Sequence, residues 1–303
     1  MGLPRLRAMR SVLSLALFAL ASCASSAFDR APMTCETGSG TVRGFDREEV
    51  AEVGRLVSEL CPRIDQILRP ERTEPVRVVV LDTAADPYAK AYTHEFVREG
   101  RIVDRFIVVG SEGRHLRGFI VAHELVHWLS DGAWDRLPLV LEEGLADLIA
   151  SQLDAVGREA KLYDLAQVPA ATSFSEIESA LRVSRESWAS LTPDERGRSY
   201  WVGFILARRI GIAGLRALCE QAAAEGAPFV PSERVLARAK LGMDLRAWNE
   251  ALCESIGSTP APMRRAFPTG RAPRFPRVGC VYDIALRCDI ESFIEARIGA
   301  SKK

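Results

Sequence analysis

The chain has 303 residues, of which 48% are hydrophobic and 26% are charged, so it can bury a sizeable core. Its 40 basic residues are balanced by 40 acidic residues, and the formal net charge at pH 7 is zero. This balance excludes an electrostatic argument for a nucleic-acid partner, because nucleic-acid-binding proteins usually carry an excess of Lys and Arg.

Residues 1–22 have the layout of an export signal. A basic start precedes an apolar stretch, which is too short for a membrane span and is followed by small residues. Leu20-Ala21-Ser22-Cys23 resembles the lipobox of bacterial lipoproteins, in which the cysteine carries the lipid. The alternative is an ordinary cleaved signal with Cys23 nearby by chance. The resemblance implies a lipid-anchored protein of the cell envelope, in the outer membrane if the host has two membranes.

Residues 23–44 are rich in Ala, Ser, Thr and Gly, which predicts a tether between the lipid and the folded body. Of the seven cysteines, six remain beyond Cys23, and this even number suits an oxidising compartment. Cys219 with Cys253, and Cys280 with Cys288, are candidate disulfide pairs because each pair joins neighbouring predicted elements.

The first predicted elements are a helix and a strand. Hydrophobic residues recur at helical spacing from Asp46 to Leu68, and Pro62 favours a kink or a split in this helix. The run VRVVVLD at 76–82 is dense in β-branched residues, which predicts a buried strand.

A β-hairpin and two helices are predicted next. Tyr92–Val97 and Arg101–Val109 form the hairpin around Glu99-Gly100. The helices span Leu116–Ser130 and Leu139–Leu153.

The remaining part of the chain is predicted to be helical. Thr192-Pro193-Asp194-Glu195 has the form of a capping box with proline in the first turn, and Gly211 is expected to end the helix that begins there. Asp244 and Gly257 bracket a further helix. Residues 258–303 are expected to form a Pro- and Arg-rich extension with a small Cys-containing unit.

The order of these elements predicts an α+β fold with one domain over residues 45–257. In that domain a small mixed or antiparallel sheet packs on the helix at 116–130, and a mainly helical part follows.

Two of the four histidines, His123 and His127, flank Glu124 within one predicted helix. Residues four apart lie on one helix face, so both imidazoles can point at a common spot. Glu124 lies about 100° round the helix from His123, so it can reach a ligand held by both rings. Chance coincidence and a buried polar cluster are the alternatives. A polar cluster among apolar neighbours needs a compensating charge, which a metal supplies.

A catalytic zinc site needs a third protein ligand and an open position for water. The segment LEEGLAD at 141–147 is the best source of that ligand. Glu143 is chosen over Glu142 because it shares a helix face with Asp147, which can accept a hydrogen bond from a ligating histidine. Gly144 would let the two helices approach closely.

The motifs His123-Glu124-Leu125-Val126-His127 and Glu143-Gly144-Leu145-Ala146-Asp147 resemble those of the gluzincin metallopeptidases, especially the compact bacterial peptidase MA-like proteins. The resemblance implies a zincin-like fold and a zinc ion held by His123, His127 and Glu143. It also implies Glu124 as general base and Asp147 behind a histidine.

The same resemblance suggests that Tyr200 donates a hydrogen bond to the developing oxyanion. The alternative is a tyrosine of the hydrophobic core. The expected function is zinc-dependent hydrolysis of peptide bonds in the cell envelope, by an endopeptidase that acts on a peptide or protein substrate. The alternative is a non-catalytic, lipid-anchored binding or scaffold protein that keeps a structural zinc site.

Overall fold

The structure is a computed structural model that describes residues 28–70, 74–81, 91–98, 101–110, 117–130, 132–158, 173–188, 190–241 and 248. The predicted signal, Cys23, and the extension at 258–303 lie outside these residues, as does the helix predicted between Asp244 and Gly257 apart from Trp248. In the part of the chain that is described, none of the helices combines the length and hydrophobicity needed to cross a membrane.

Five strands form one mixed sheet in the order β1-β2-β3-β5-β4. The three central strands β2, β3 and β5 run parallel, whereas β1 and β4 pair antiparallel at the two edges. The strands are β1 (Met33–Thr37), β2 (Gly40–Gly44), β3 (Val76–Leu81), β4 (Ala91–Arg98) and β5 (Arg101–Gly110).

Seven α-helices and one 3₁₀ helix are found among the described residues with defined bounds. They are α1 (Arg47–Leu68), α2 (Arg117–Leu129), the 3₁₀ helix Gly132–Arg136, α3 (Leu139–Leu153), α4 (Phe174–Leu181), α5 (Arg185–Trp188), α6 (Pro193–Ala224) and α7 (Ser232–Ala239). The chain therefore has the α+β fold that the sequence predicted.

The prediction of a tether over residues 23–44 is wrong for its second half. β1 and β2 form a hairpin, and β2 continues the sheet through parallel pairing with β3. Phe28 and Ala31 are buried against the sheet face opposite α1 and α2, in a small cluster with Val79 and Phe106. The part of the predicted tether at 23–27 lies outside the described residues.

The predicted helix and hairpin of the N-terminal half are confirmed. The Asp46 side chain accepts hydrogen bonds from the backbone N–H groups of Glu48 and Glu49, which caps α1, and the helix continues through Pro62. The β4–β5 hairpin closes with Arg98 opposite Arg101. An irregularity between Phe96 and Val97 in β4 was not predicted.

A buried ion pair joins the start of α2 to α1. The Arg117 side chain is 2% exposed and contacts Glu49 and Glu52 of α1. Because breaking a buried pair leaves an uncompensated charge, this contact favours one position of α2 against α1. Both helices lie on one face of the sheet, and their apolar residues share the main core with α3 and α6.

Two glycines let α3 and α6 cross closely. A Cβ added to Gly144 would overlap the carbonyl oxygen of Gly203, and a Cβ added to Gly203 would overlap the carbonyl oxygen of Val140. The close approach that Gly144 was expected to allow is therefore with α6, and it fixes the position of α3.

The capping box at the start of α6 is confirmed, since Thr192 and Glu195 exchange side-chain and backbone hydrogen bonds. Gly211 has a positive φ of 71° and interrupts the helix, but helical structure resumes and reaches Ala224. Cys219 is a buried free thiol, and its expected disulfide partner Cys253 lies outside the described residues, so that pairing stays a prediction. Cys280 and Cys288 lie outside the described residues.

Candidate metal centre

Three side chains from α2 and α3 meet in the interior. His123 Nε2 lies 3.1 Å from His127 Nε2 and 3.3 Å from Glu143 Oε2, and His127 Nε2 lies 3.6 Å from Glu143 Oε1. All three residues are buried, and together they form a group that could hold a metal ion. The structure thus brings together the three residues that the sequence singled out as ligands.

The Nδ1 atom of each imidazole, which points away from the three-residue cluster, faces a carboxylate. His123 Nδ1 lies 2.8 Å from Asp147 Oδ1, and His127 Nδ1 lies 3.4 Å from Glu142 Oε1. If each Nδ1–H donates to its carboxylate, the neutral ring keeps a lone pair on Nε2. Both lone pairs then point toward the space shared with Glu143.

The donor set fits a small divalent cation. Two Nε2 lone pairs and a carboxylate at these distances repel one another unless a proton or a cation lies between them. Glu143 Oε2 is buried and accepts no hydrogen bond of good geometry from the described residues. A tetrahedral ion with bonds of about 2.0–2.1 Å would hold its ligand atoms about 3.3–3.4 Å apart. The Nε2–Nε2 separation of 3.1 Å and the separation of 3.3 Å between His123 Nε2 and Glu143 Oε2 lie near that spacing.

The buried carboxyl groups around the site also favour a bound cation. Glu124, Glu142, Glu143 and Asp147 are four carboxyl groups buried within two adjacent helices. Arg185 offsets one of them, because its Nη2 lies 3.1 and 3.0 Å from the two oxygens of Glu142. Buried anions without compensation are costly, and a divalent ion would offset two further charges.

Both carboxyl groups that face the histidines have lowered pKa values. Burial alone raises the pKa of Glu143, but without a metal ion the two rings can share a proton at Nε2, and the charges and contacts of protonated His127 and His123 then outweigh burial and lower the pKa. Burial also raises the pKa of Glu142, and the hydrogen bond with His127 and the charge of Arg185 reverse this shift. Both groups are therefore ionised at neutral pH, as metal ligands and their partners must be.

Glu124 lies on α2 between the two histidines in sequence and is 2% exposed. The hydroxyl of Thr93 on β4 donates a hydrogen bond to Glu124 Oε2 at 2.9 Å. This contact joins residues 31 positions apart, so no periodic pattern in the sequence reveals it.

Tyr200 lies near the start of α6 and is buried in the main core. Its ring packs edge-to-face on Trp188 of α5, with the ring centroids 5.3 Å apart. This environment agrees with the alternative of a core tyrosine. The role of Tyr200 as an oxyanion donor stays a prediction.

Three residues around the site were not assigned a role from the sequence. Glu142 was set aside as a ligand, and the structure places it behind His127 instead. The sequence could have indicated this role, because Glu142 directly precedes Glu143. Adjacent residues on one helix can reach two neighbouring side chains of the facing helix. Arg185 and Thr93 had no signal, because each reaches the site through a long-range contact.

Comparisons of the chain with protein-family models, with curated proteins and with solved structures found no match.

Proposed function

We propose that the protein is a zinc-dependent hydrolase of peptide bonds, of the gluzincin type and most simply an endopeptidase. The observation that carries the proposal is the convergence of two Nε2 atoms and the Glu143 carboxylate at 3.1–3.6 Å, with Glu124 on the same helix. Two nitrogen ligands and one oxygen ligand are the donor set of known catalytic zinc sites with two histidines and a glutamate.

The residues of the chain divide the work of such a site. His123, His127 and Glu143 would hold the ion, while Asp147 and Glu142 orient the two rings. Bound zinc would supply Lewis acidity, which polarises the scissile carbonyl and lowers the pKa of a water molecule to about 7. Glu124 would take the proton of that water and return it to the leaving amine.

An intact Glu124 favours this function over a structural metal site. A structural zinc site is closed by a fourth protein ligand and needs no base. Within the described residues, the cluster contains three ligands, and the adjacent carboxylate is hydrogen-bonded to Thr93 rather than included in the cluster. This arrangement agrees with an open coordination position.

The proposal is tested with the purified chain without its signal, using denatured protein and cross-linked muropeptides as substrates. We expect cleavage that is lost on treatment with 1,10-phenanthroline and restored by Zn²⁺. If zinc binds at one ion per chain and nothing is cut across a broad peptide library, the protein is instead a binding or scaffold protein with a structural metal.

The proposed place of action is the cell envelope, with Cys23 as the lipid-bearing residue. The proposal is supported by the resemblance of residues 20–23 to a lipobox. Cys23→Ala should move the protein from the membrane fraction to the soluble fraction after cell lysis. An unchanged membrane fraction would contradict lipidation at this residue.

A further inference from the structure

A buried threonine on an edge strand contacts the proposed general base. Thr93 lies in β4 opposite Ile107 of β5, and β4 forms one edge of the sheet. Its hydroxyl donates to Glu124 Oε2 at 2.9 Å, and the two residues are 3% and 2% exposed. Thr93 thus joins this edge strand of the sheet to Glu124 of α2.

Packing alone does not explain a hydroxyl at this position. Valine has nearly the same shape as threonine, suits a strand equally well and carries no polar group into the interior. A buried hydroxyl is costly unless it is hydrogen-bonded, and here the carboxylate of Glu124 provides the acceptor. A hydrogen bond is directional and strongest near linearity, so this bond restricts the orientation of the carboxylate.

We propose that Thr93 is a positioning residue for Glu124, and this inference rests on the proposed function. The Thr93 hydroxyl holds Oε2, so that Oε1 is the oxygen that exchanges the proton. In the first step an O–H bond of water breaks and its proton moves to Oε1, while the water oxygen bonds to the scissile carbon and the π electrons of the carbonyl move onto its oxygen. In the second step the carbonyl re-forms and the C–N bond breaks, as the same proton moves from Oε1 to the leaving nitrogen. The proton of Thr93 stays on its own oxygen throughout.

The first test compares Thr93→Val and Thr93→Ser with the wild type in the zinc-loaded chain. With denatured casein as substrate, Thr93→Val should lower kcat by about tenfold or more, because a hydrogen bond to a charged group is lost. The KM value and the zinc content should not change, since Thr93 is not a ligand. Thr93→Ser keeps the hydroxyl and should recover most of kcat.

The second test needs no turnover. Acetohydroxamate chelates zinc and presents a proton to a neighbouring carboxylate, whereas the thiolate of mercaptoethanol binds zinc and presents none. Thr93→Val should weaken acetohydroxamate binding by about tenfold and leave mercaptoethanol binding unchanged. In a Glu124→Gln background the same substitution should have little effect, because the double-mutant cycle isolates the coupling between the two residues.

The outcomes separate this inference from the proposed function. Equal kcat and equal acetohydroxamate affinity in the wild type and Thr93→Val would overturn the positioning role, while casein cleavage would still support the hydrolase. Equal weakening of both zinc ligands in both backgrounds would show a purely structural role and also overturn it. A wild type that cleaves nothing contradicts the function, and the acetohydroxamate measurements then decide the role of Thr93. If Thr93→Val does not fold, Thr93→Ala with Thr93→Ser as rescue gives the same comparison.

Discussion

His123 and His127 lie one turn apart on α2, yet the two sides of the candidate centre are built differently. On the inner side, His123 contacts Asp147 at 2.8 Å, and Asp147 is completely buried. On the outer side, His127 contacts Glu142 at 3.4 Å, and Glu142 is held by Arg185, whose side chain is 47% exposed. The inner pair is shorter and its carboxylate is completely buried, whereas the carboxylate of the longer outer pair contacts a half-exposed arginine.

This difference indicates which side fixes the geometry. A short hydrogen bond to a completely buried carboxylate is strong, so Asp147 sets the orientation of the His123 ring. On the outer side, the contacts run from His127 through Glu142 to Arg185, which is half-exposed. Solvent screening weakens the electrostatic attraction between Arg185 and Glu142. The outer side can therefore tolerate substitution better than the inner side.

The largest loss of zinc affinity is expected when Glu143, which both histidines contact, is replaced. Glu143→Ala should lower zinc affinity by more than about 100-fold, beyond the range for residues that only orient a ligand. Zinc content after dialysis against a competing chelator measures this change. Glu142→Ala is the matched control on the adjacent position and should lower zinc affinity by only about tenfold, because Glu142 orients a ligand and is not one itself. The reverse pattern would mean that Glu142 is the ligand.

Smaller losses of zinc affinity are expected for Asp147 and Glu142, the two carboxylates that orient the histidine rings. Asp147→Asn should weaken zinc binding by an amount near the upper end of the range of about 10–100-fold, and Glu142→Gln by an amount near its lower end. Competition with a fluorescent zinc chelator gives both affinities under the same conditions. Equal losses in the two variants would break the distinction between an inner and an outer side.

The smallest effect is expected for Arg185, whose contribution to the free energy of unfolding should depend on pH. The folded state holds the pKa of Glu142 below 4.5, through His127 and Arg185 and against the effect of burial. A lowered pKa stabilises the fold above the pH at which the unfolded glutamate titrates, and that stability is lost as the pH falls through the folded pKa. Arg185→Ala should therefore reduce the free energy of unfolding at pH 7 and have less effect near pH 3. Urea denaturation of the metal-free protein at both pH values measures this, and a constant difference would contradict it.

Much of the fold was predictable because its signals are local. The start of α1 follows from the Asp46 cap, and the hairpin follows from two strand-like runs around Glu99-Gly100. β1 and β2 were missed because each is only five residues long and their composition resembles that of a linker. Their stability comes from pairing with β3, which is a tertiary contact and leaves no pattern within residues 33–44.

The residues of the candidate site also fall into two groups, those that local spacing predicts and those that depend on tertiary contacts. His123, His127, Glu143 and Asp147 were predictable because helical spacing puts each pair on one face. Thr93 and Arg185 were not, because their contacts with Glu124 and Glu142 span 31 and 43 positions of the chain. Such contacts depend on how the sheet and the later helices pack around α2 and α3, and spacing within one element cannot reveal them.

The most direct test of the proposed centre is the zinc content of Glu124→Gln, measured together with its cleavage of a substrate that the wild type cuts. Glutamine cannot accept the proton, and Glu124 is not one of the three clustered ligands. We expect one zinc ion per chain in both proteins and loss of cleavage in the variant. Loss of zinc together with cleavage, or cleavage at the wild-type rate, would contradict the assignment of Glu124 as the base beside a metal held by His123, His127 and Glu143.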